Sequence, residues 1–217
     1  MTDLKKHIEQ TLLKQDATKS DFIKLFEDAK QHHFFGVCVP PCYVRFAKEH
    51  LTNTDIKIIT VIGFPLGFNT SEVKAFETTK ALEDGADEID MVLNVSALKS
   101  KNWDYVLEDI ESVKKACGSV PLKVIIETDL LSKDEIEKAC ILCIEAKADF
   151  VKTSTGFVKN GTGATTENVS LIARLVHPYG LYVKASGGIK NKEQALAMLN
   201  AGADRIGTSS GVSIVQD

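Results

Sequence analysis

One short pattern recurs three times in the 217-residue sequence and limits the folds that it can adopt. Residues 83–87 read Glu-Asp-Gly-Ala-Asp, residues 145–149 read Glu-Ala-Lys-Ala-Asp, and residues 200–204 read Asn-Ala-Gly-Ala-Asp. Each pattern closes a helical stretch and precedes a short apolar run, and glycine suits the left-handed cap that ends a helix. The final aspartates lie 62 and 55 residues apart, which is about two strand–helix units each. A period of about 27–31 residues predicts seven or eight such units.

The rest of the chain alternates between short strand-like runs and longer helical stretches. Runs typical of buried parallel strands cover residues 34–39, 56–62, 88–93, 122–126, 150–152, 181–184 and 205–207. Helical stretches cover residues 19–31, 43–50, 71–83, 104–116, 133–146, 166–177 and 191–200. This alternation predicts an α/β fold in which residues 1–217 form a single (β/α)8 TIM barrel domain. A doubly wound open sheet is the alternative, but no G-x-G-x-x-G motif follows a strand.

Composition argues against several classes of protein. The chain has 26 Lys and Arg against 30 Asp and Glu, a formal net charge of −4, which does not favour binding to nucleic acid. No apolar run approaches the ~18 residues of a membrane-spanning helix, and no apolar block follows residues 1–7. The cysteines are odd in number, and Cys140 and Cys143 lie in a helical stretch, where two buried thiols are favoured over a metal or redox pair. We therefore expect a cytoplasmic protein without membrane or nucleic-acid partners.

Two segments share the pattern Val-Lys-x-Ser-x-Gly and carry the strongest functional signal. The first places Lys152 in a predicted strand, and the second places Lys184 in the next strand, 32 residues later. Because neighbouring strands of a barrel bring equivalent positions to one level, we expect both amines to point into the barrel. Lysine is rarely buried without a partner, so this pair indicates chemistry.

A lysine amine attacks a carbonyl only in its neutral form. A neighbouring ammonium and partial desolvation both disfavour the charged form, which is how a Schiff-base lysine is activated. We therefore expect Lys184 to help keep Lys152 uncharged. The alternative is that both lysines are structural and pair with Asp90 or Glu127.

Polar residues interrupt predicted strands at their C-terminal ends, where a barrel carries its chemistry. Asp90 lies in an apolar strand near the lysines and is placed to transfer protons beside an imine, together with Lys184. A salt-bridged structural acid is the alternative for Asp90. Further polar residues expected at these strand ends are Asn94, Lys123 and Glu127.

Two glycine-rich segments, residues 187–189 and 207–211, follow the last two predicted strands. Glycine lets the backbone approach a ligand, and barrels commonly bind phosphate after strands seven and eight. We therefore expect a phosphate site there, with simple turns as the alternative. None of the five histidines has a second histidine at i+2 or i+4, so we expect no metal site.

Together these motifs resemble the deoxyribose-phosphate aldolase family, whose members are metal-free aldolases on a (β/α)8 barrel. The most specific segments are residues 87–94, 122–128, 150–156 and 183–189. The resemblance implies reversible cleavage of 2-deoxy-D-ribose 5-phosphate to acetaldehyde and D-glyceraldehyde 3-phosphate. It also implies no cofactor, a small-molecule sugar phosphate as partner, and a homodimer.

By this resemblance, Lys152 is the Schiff-base nucleophile, Lys184 tunes it and relays protons, and Asp90 donates and accepts protons. The positions where the family holds phosphate are Gly156, Gly187, Gly188, Ser209 and Ser210. We add four supporting residues, which are Glu9, Cys38, Lys123 and Asn94. Cys38 is interpreted as a buried packing thiol.

The sequence departs from the family pattern at two positions that matter here. Glu9 stands where the family usually has an aspartate that orients the sugar hydroxyls or the active-site network, and Asp129 stands where a small or neutral residue is common. Two other functions remain alternatives. One is another Schiff-base barrel, such as a transaldolase or an aldolase with a ketone donor, and the other is a non-catalytic barrel that binds sugar phosphates.

Overall fold

Eight short strands close into a parallel barrel in a computed structural model of the chain, which describes residues 3–216. The strands are β1 Ile8–Thr11, β2 Gly36–Val39, β3 Lys57–Ile62, β4 Glu88–Val92, β5 Leu122–Ile125, β6 Phe150–Lys152, β7 Tyr182–Ser186 and β8 Arg205–Thr208. Each strand pairs with the next, and β8 pairs with β1. The predicted (β/α)8 barrel is confirmed, and the open-sheet alternative is wrong.

Nine α-helices lie within the described residues. They are α1 Lys19–His32, α2 Val44–His50, α3 Ser71–Glu83, α4 Val95–Lys99, α5 Trp103–Cys117, α6 Lys133–Glu145, α7 Thr166–Val176, α8 Lys192–Asn200 and α9 Gly211–Gln216. Four of them begin at a side-chain cap, in which an oxygen of Asn94, Ser132, Thr165 or Asn191 accepts a backbone N–H of the first turn. None of the helices in the described part of the chain is long and apolar enough to cross a membrane.

The predicted strands and helices agree with the structure to within about two residues at their ends. The sequence patterns do not predict β1, α4 or α9. Residues 8–11 read Ile-Glu-Gln-Thr, and this polar segment lacks the apolar run that marks the other strands. It is nevertheless a strand because its polar side chains are buried in the barrel, where they find partners.

The main hydrophobic core lies between the outer face of the barrel and the surrounding helices. Inside the barrel, a second and much smaller apolar cluster consists of Cys38, Ile59 and Val61 on β2 and β3. The opposite side of the interior carries charged side chains from β1 and β4–β7. The barrel interior is therefore half apolar and half ionic, which is unusual for a space normally filled by branched apolar residues.

The aspartate that ends each copy of the sequence pattern links two neighbouring strands near their N-terminal ends. In all three copies the aspartate side chain accepts a hydrogen bond from a backbone N–H near the start of the preceding strand. The pairs are Ile58 N to Asp87 at 2.8 Å, Leu122 N to Asp149 at 2.7 Å and Val183 N to Asp204 at 2.8 Å. The pattern thus recurs because each copy performs the same structural task.

The middle copy of the pattern lacks the glycine of the other two. Gly85 and Gly202 adopt φ of 105° and 107°, whereas Lys147 at the equivalent position adopts φ of 57°. A residue with a Cβ pays about 1–2 kcal/mol in this left-handed region, and glycine does not. The advantage of glycine is partly offset, because glycine loses more conformational entropy on folding than a residue with a Cβ does.

We expect Lys147→Gly to raise the free energy of unfolding by about 0.5–1 kcal/mol, because it relieves the left-handed backbone of an exposed residue. Urea unfolding measures the change. Lys147→Ala is the matched control, since it removes the same charge and keeps the Cβ. A glycine variant no more stable than the alanine variant would show that position 147 is unstrained.

Candidate active site

Lys152 and Lys184 lie side by side, as their shared motif predicts. They are paired in register on β6 and β7, and both side chains are buried inside the barrel. Asp90 on β4 faces both, and its Oδ2 accepts hydrogen bonds from Lys152 Nζ and Lys184 Nζ, each at 2.7 Å. The structure thus brings together the three residues predicted to carry the chemistry.

Asp90 is the most heavily contacted carboxylate of this group. Its Oδ1 accepts a third hydrogen bond from Lys123 Nζ at 3.0 Å, and the side chain has no exposed surface. Burial alone favours the neutral acid, but the charges of Lys123, Lys152 and Lys184 outweigh it and hold the pKa of Asp90 well below its usual value. Asp90 is therefore a carboxylate at neutral pH, and both of its oxygens accept hydrogen bonds from lysine side chains.

Glu9 joins this network from β1. Its carboxylate contacts Lys184 Nζ directly and lies 3.7 Å from Lys123 Nζ, and its side chain is fully buried. Burial lowers the pKa of Lys184, but the negative charges of Asp90 and Glu9 raise it above its usual value. Lys184 is therefore a cation beside Lys152. Glu9 belongs to the network of buried charges, one of the two roles that the resemblance implies.

Lys123 does not lie at the C-terminal end of its strand, where the sequence places it. It is the second residue of β5 and pairs in register with Phe150, two residues before Lys152. It therefore lies one layer lower in the barrel, where Glu88 approaches its Nζ to 2.5 Å. The prediction of its level is wrong although the strand begins at residue 122 as predicted, because Lys123 is the second residue of that strand and not one of its last. Its register partner on β4 is Asp90, to which its amine donates a hydrogen bond.

A cavity of about 330 Å³ opens above this network at the C-terminal ends of β1, β6, β7 and β8. Lys152 lines the cavity with 4% of its surface exposed, whereas Lys184 is fully buried and, among the described residues, does not line it. Two exposed lysines, Lys14 and Lys190, also line the cavity. A small molecule in this cavity therefore meets one buried amine, that of Lys152, in a positively charged surrounding.

The predicted phosphate-binding residues divide into two groups. Four of them line the cavity, namely Gly156, Gly187, Gly188 and Ser209. Ser210 is not among the lining residues that the structure describes, and its backbone N–H donates to Thr208 Oγ1 at 2.9 Å. Gly187 and Gly188 adopt φ of 88° and 76°, a left-handed turn that favours glycine. This turn lines the cavity together with the loop that follows β1.

The role of Glu127 is not apparent from the sequence. The alternative in which it pairs with the lysines is wrong, because its carboxylate accepts hydrogen bonds from the backbone N–H and the hydroxyl of Thr155, three residues after Lys152. Burial raises the pKa of Glu127 above its usual value despite these hydrogen bonds. Its position directly after β5, next to the loop that follows β6, is the signal that could have suggested this role.

Two supporting residues occupy structural positions. The Asn94 side chain caps α4 by accepting a hydrogen bond from Ala97 N at 3.0 Å. Cys38 is fully buried in the apolar half of the barrel interior. Burial raises the pKa of its thiol above the usual value, against the lowering effect of the nearby Lys184 and Lys152 charges. Cys38 is thus a packing thiol, as interpreted from the sequence.

All five cysteines are free, and they differ sharply in accessibility. Cys42 is exposed, whereas the other four are buried. Burial raises the pKa of the Cys140 and Cys117 thiols to about 12. A thiol reagent needs both access and a thiolate.

We expect a chromogenic disulfide reagent to modify one thiol per native chain rapidly, that of Cys42, and the others only on unfolding. Absorbance during the reaction counts the thiols. Cys42→Ser is expected to abolish the fast phase, and Cys38→Ala serves as the control that retains it. A fast phase that survives in Cys42→Ser would contradict the assignment.

Known proteins share both the sequence and the fold of this chain. The sequence model of the family described as DeoC/LacD family aldolase matches residues 5–217. Deoxyribose-phosphate aldolase of Thermococcus gammatolerans is 56% identical over 219 residues, covering 99% of this chain and 96% of that protein. Deoxyribose-phosphate aldolase of Mannheimia succiniciproducens is 52% identical over 214 residues, covering 99% of this chain and 94% of that protein.

A solved structure shows the same likeness in three dimensions. The tetrameric deoxyribose phosphate aldolase of Aeropyrum pernix superposes with a TM-score of 0.91 at 34% identity, covering 98% of this chain and 89% of that one. The family match spans almost the whole chain, and the resemblance inferred from its motifs is confirmed. This chain belongs to the DeoC/LacD family of aldolases.

Proposed function

We propose that this protein cleaves 2-deoxy-D-ribose 5-phosphate reversibly to acetaldehyde and D-glyceraldehyde 3-phosphate through a Schiff base on Lys152. One observation carries the proposal. Of the three lysines clustered around Asp90, Lys152 lines a cavity large enough for a small sugar phosphate. The curated relatives that share more than half of its residues are named deoxyribose-phosphate aldolases. Residues 1–217 act as one barrel domain in this proposal.

The first step forms the imine. The Lys152 ammonium gives up a proton, and its neutral amine adds to the aldehyde carbon of the open-chain sugar. Loss of water from the adduct leaves a protonated imine at Lys152. Asp90 lies within hydrogen-bonding distance of the amine and is therefore placed to receive and return these protons, directly or through water.

The second step breaks the bond between C2 and C3 of the sugar. The 3-hydroxyl loses its proton, C3 becomes the aldehyde carbon of glyceraldehyde 3-phosphate, and the bonding electrons move to the imine nitrogen. The resulting enamine takes up a proton at C2, and hydrolysis then releases acetaldehyde and restores the Lys152 amine. Lys184, held as a cation by Asp90 and Glu9, is the second group placed to supply protons and stabilise negative charge.

The phosphate end of the substrate is assigned to the turn at Gly187 and Gly188, with Gly156 and Ser209 beside it. Left-handed glycines let backbone amides approach an anion closely. The exposed ammonium groups of Lys14 and Lys190, which line the same cavity, add attraction for a dianion. Anchoring this end orients the aldehyde end toward Lys152.

Two further features belong to the proposal. A homodimer follows from the resemblance, although the relative from Aeropyrum pernix is described as a tetramer. A cytoplasmic location follows from the sequence features described above. Both stay predictions for this chain.

The experiment that tests the proposal traps the imine. Incubation with acetaldehyde and borohydride is expected to add a two-carbon group to Lys152, found by peptide mapping, because reduction turns the imine into a stable amine. Lys152→Ala should lose the adduct and lower the turnover of deoxyribose 5-phosphate by on the order of a thousandfold or more. Lys147→Ala is the matched control, since it removes an exposed lysine outside the cavity.

The same assays separate the alternatives. A ketone-donor aldolase would be trapped with a ketone substrate and not with acetaldehyde. A non-catalytic barrel would bind the sugar phosphate but release no glyceraldehyde 3-phosphate in a coupled assay. An unmodified Lys152 together with full activity of Lys152→Ala would exclude the proposed mechanism.

A further inference from the structure

The loop between β6 and α7, residues 153–165, packs against the glycine turn that forms one wall of the cavity. Ala164 N donates a hydrogen bond to Gly187 O at 3.1 Å. A Cβ added to Gly163 would lie 2.5 Å from the carbonyl of Gly187, and one added to Gly188 would lie 2.6 Å from Thr162 O. Because the two backbones touch at these three places, the position of the loop sets the position of the turn.

Asp129 holds this part of the loop from the neighbouring element. Its Oδ1 accepts hydrogen bonds from the backbone N–H and the hydroxyl of Thr162, each at 2.9 Å. Its Oδ2 accepts the backbone N–H of Gly163, also at 2.9 Å. Three donors on two consecutive residues thus converge on one carboxylate, and charge-assisted hydrogen bonds of this kind are the stronger ones.

We propose that Asp129 is a positioning residue for the phosphate end of the substrate, acting through Thr162 and Gly163 on the turn at Gly187 and Gly188. The inference rests on the proposed function and adds the residue that fixes the shape of its phosphate site. Asp129 itself is not among the described residues that line the cavity. Its effect on the substrate is therefore indirect.

Electrostatics alone predicts the opposite effect. A carboxylate near a phosphate site repels the dianion, so its removal should tighten substrate binding. If Asp129 positions the glycine turn, its removal should weaken binding, because the backbone that receives the phosphate is no longer held. The sign of the change in KM therefore distinguishes positioning from simple charge repulsion.

The test compares variants on phosphorylated and unphosphorylated sugar. For Asp129→Ala we expect KM for deoxyribose 5-phosphate to rise about tenfold while kcat changes by less than about threefold. The ratio of kcat/KM for deoxyribose 5-phosphate to that for unphosphorylated 2-deoxyribose should fall by about tenfold, since the unphosphorylated sugar does not use the turn. Trapping of acetaldehyde on Lys152 should keep its wild-type rate to within about twofold, which also shows that the variant is folded.

Two variants separate the hydrogen bonds from the charge. Thr162→Val removes the hydroxyl donor and keeps the carboxylate, and it should raise KM in the same direction by a smaller factor. Asp134→Asn is the charge control, since Asp134 is an exposed aspartate in the first turn of α6, five residues away in the chain. It should leave KM unchanged or slightly lower.

The inference and the proposed function fail in different ways. A wild-type protein that neither traps acetaldehyde nor cleaves the sugar phosphate would contradict the proposed function before any variant is made. An active wild type with an unchanged or lower KM in Asp129→Ala would overturn the role of Asp129 alone. Equal losses on the two sugars would also overturn it, because they would show general damage to the site.

Discussion

The carboxylate of Asp90 is the contact on which the arrangement of the barrel interior depends. One of its oxygens accepts hydrogen bonds from Lys152 and Lys184, and the other accepts one from Lys123. Glu9 and Glu88 supply two further carboxylates, so three carboxylates face three lysine side chains. Buried charges are tolerated when they are paired, and removing one partner typically costs about 3–5 kcal/mol. The positions of the three lysine amines are therefore set by their ion pairs with these carboxylates and not by apolar packing.

The same ion pairs also help to explain why two lysines in the same motif differ in role. Lys152 and Lys184 share a level in the barrel and share an oxygen of Asp90, but only Lys152 of the two reaches the cavity among the described residues. In the proposed reaction, an iminium at Lys152 would carry a positive charge beside the Asp90 carboxylate, which would stabilise this intermediate. Lys184, enclosed by Asp90 and Glu9, is held as a cation beside Lys152. Access to the cavity, more than the motif, distinguishes the proposed nucleophile, Lys152, from Lys184.

The sequence predicts the parts of the molecule that local patterns control. The alternation of strand-like runs and helical stretches predicts the barrel. The pattern shared by the two lysine segments predicts that Lys152 and Lys184 lie at the same level on neighbouring strands. Strand β1 is not predicted by local patterns, because polar residues such as Glu9 and Gln10 are typical of a protein surface. Gln10 instead accepts the backbone N–H of Gly211, 201 residues away, and a contact of that separation leaves no trace in a local pattern. Roles that depend on such contacts become apparent only once the barrel has closed.

The loop after β5 shows how the barrel separates chemistry from the shape of the site. Glu127 and Asp129 lie two residues apart, and their carboxylates hold the two ends of the loop after β6, at Thr155 and at Thr162. The strands position the amine of Lys152, whereas Glu127 and Asp129 position the loop after β6, which forms part of the cavity wall. Because loops change more readily than paired strands, a chain of this kind can adjust which sugar it holds while its amine stays in place. A substitution at position 129 acts on a different part of the site from one at position 90, and the two should affect different kinetic constants.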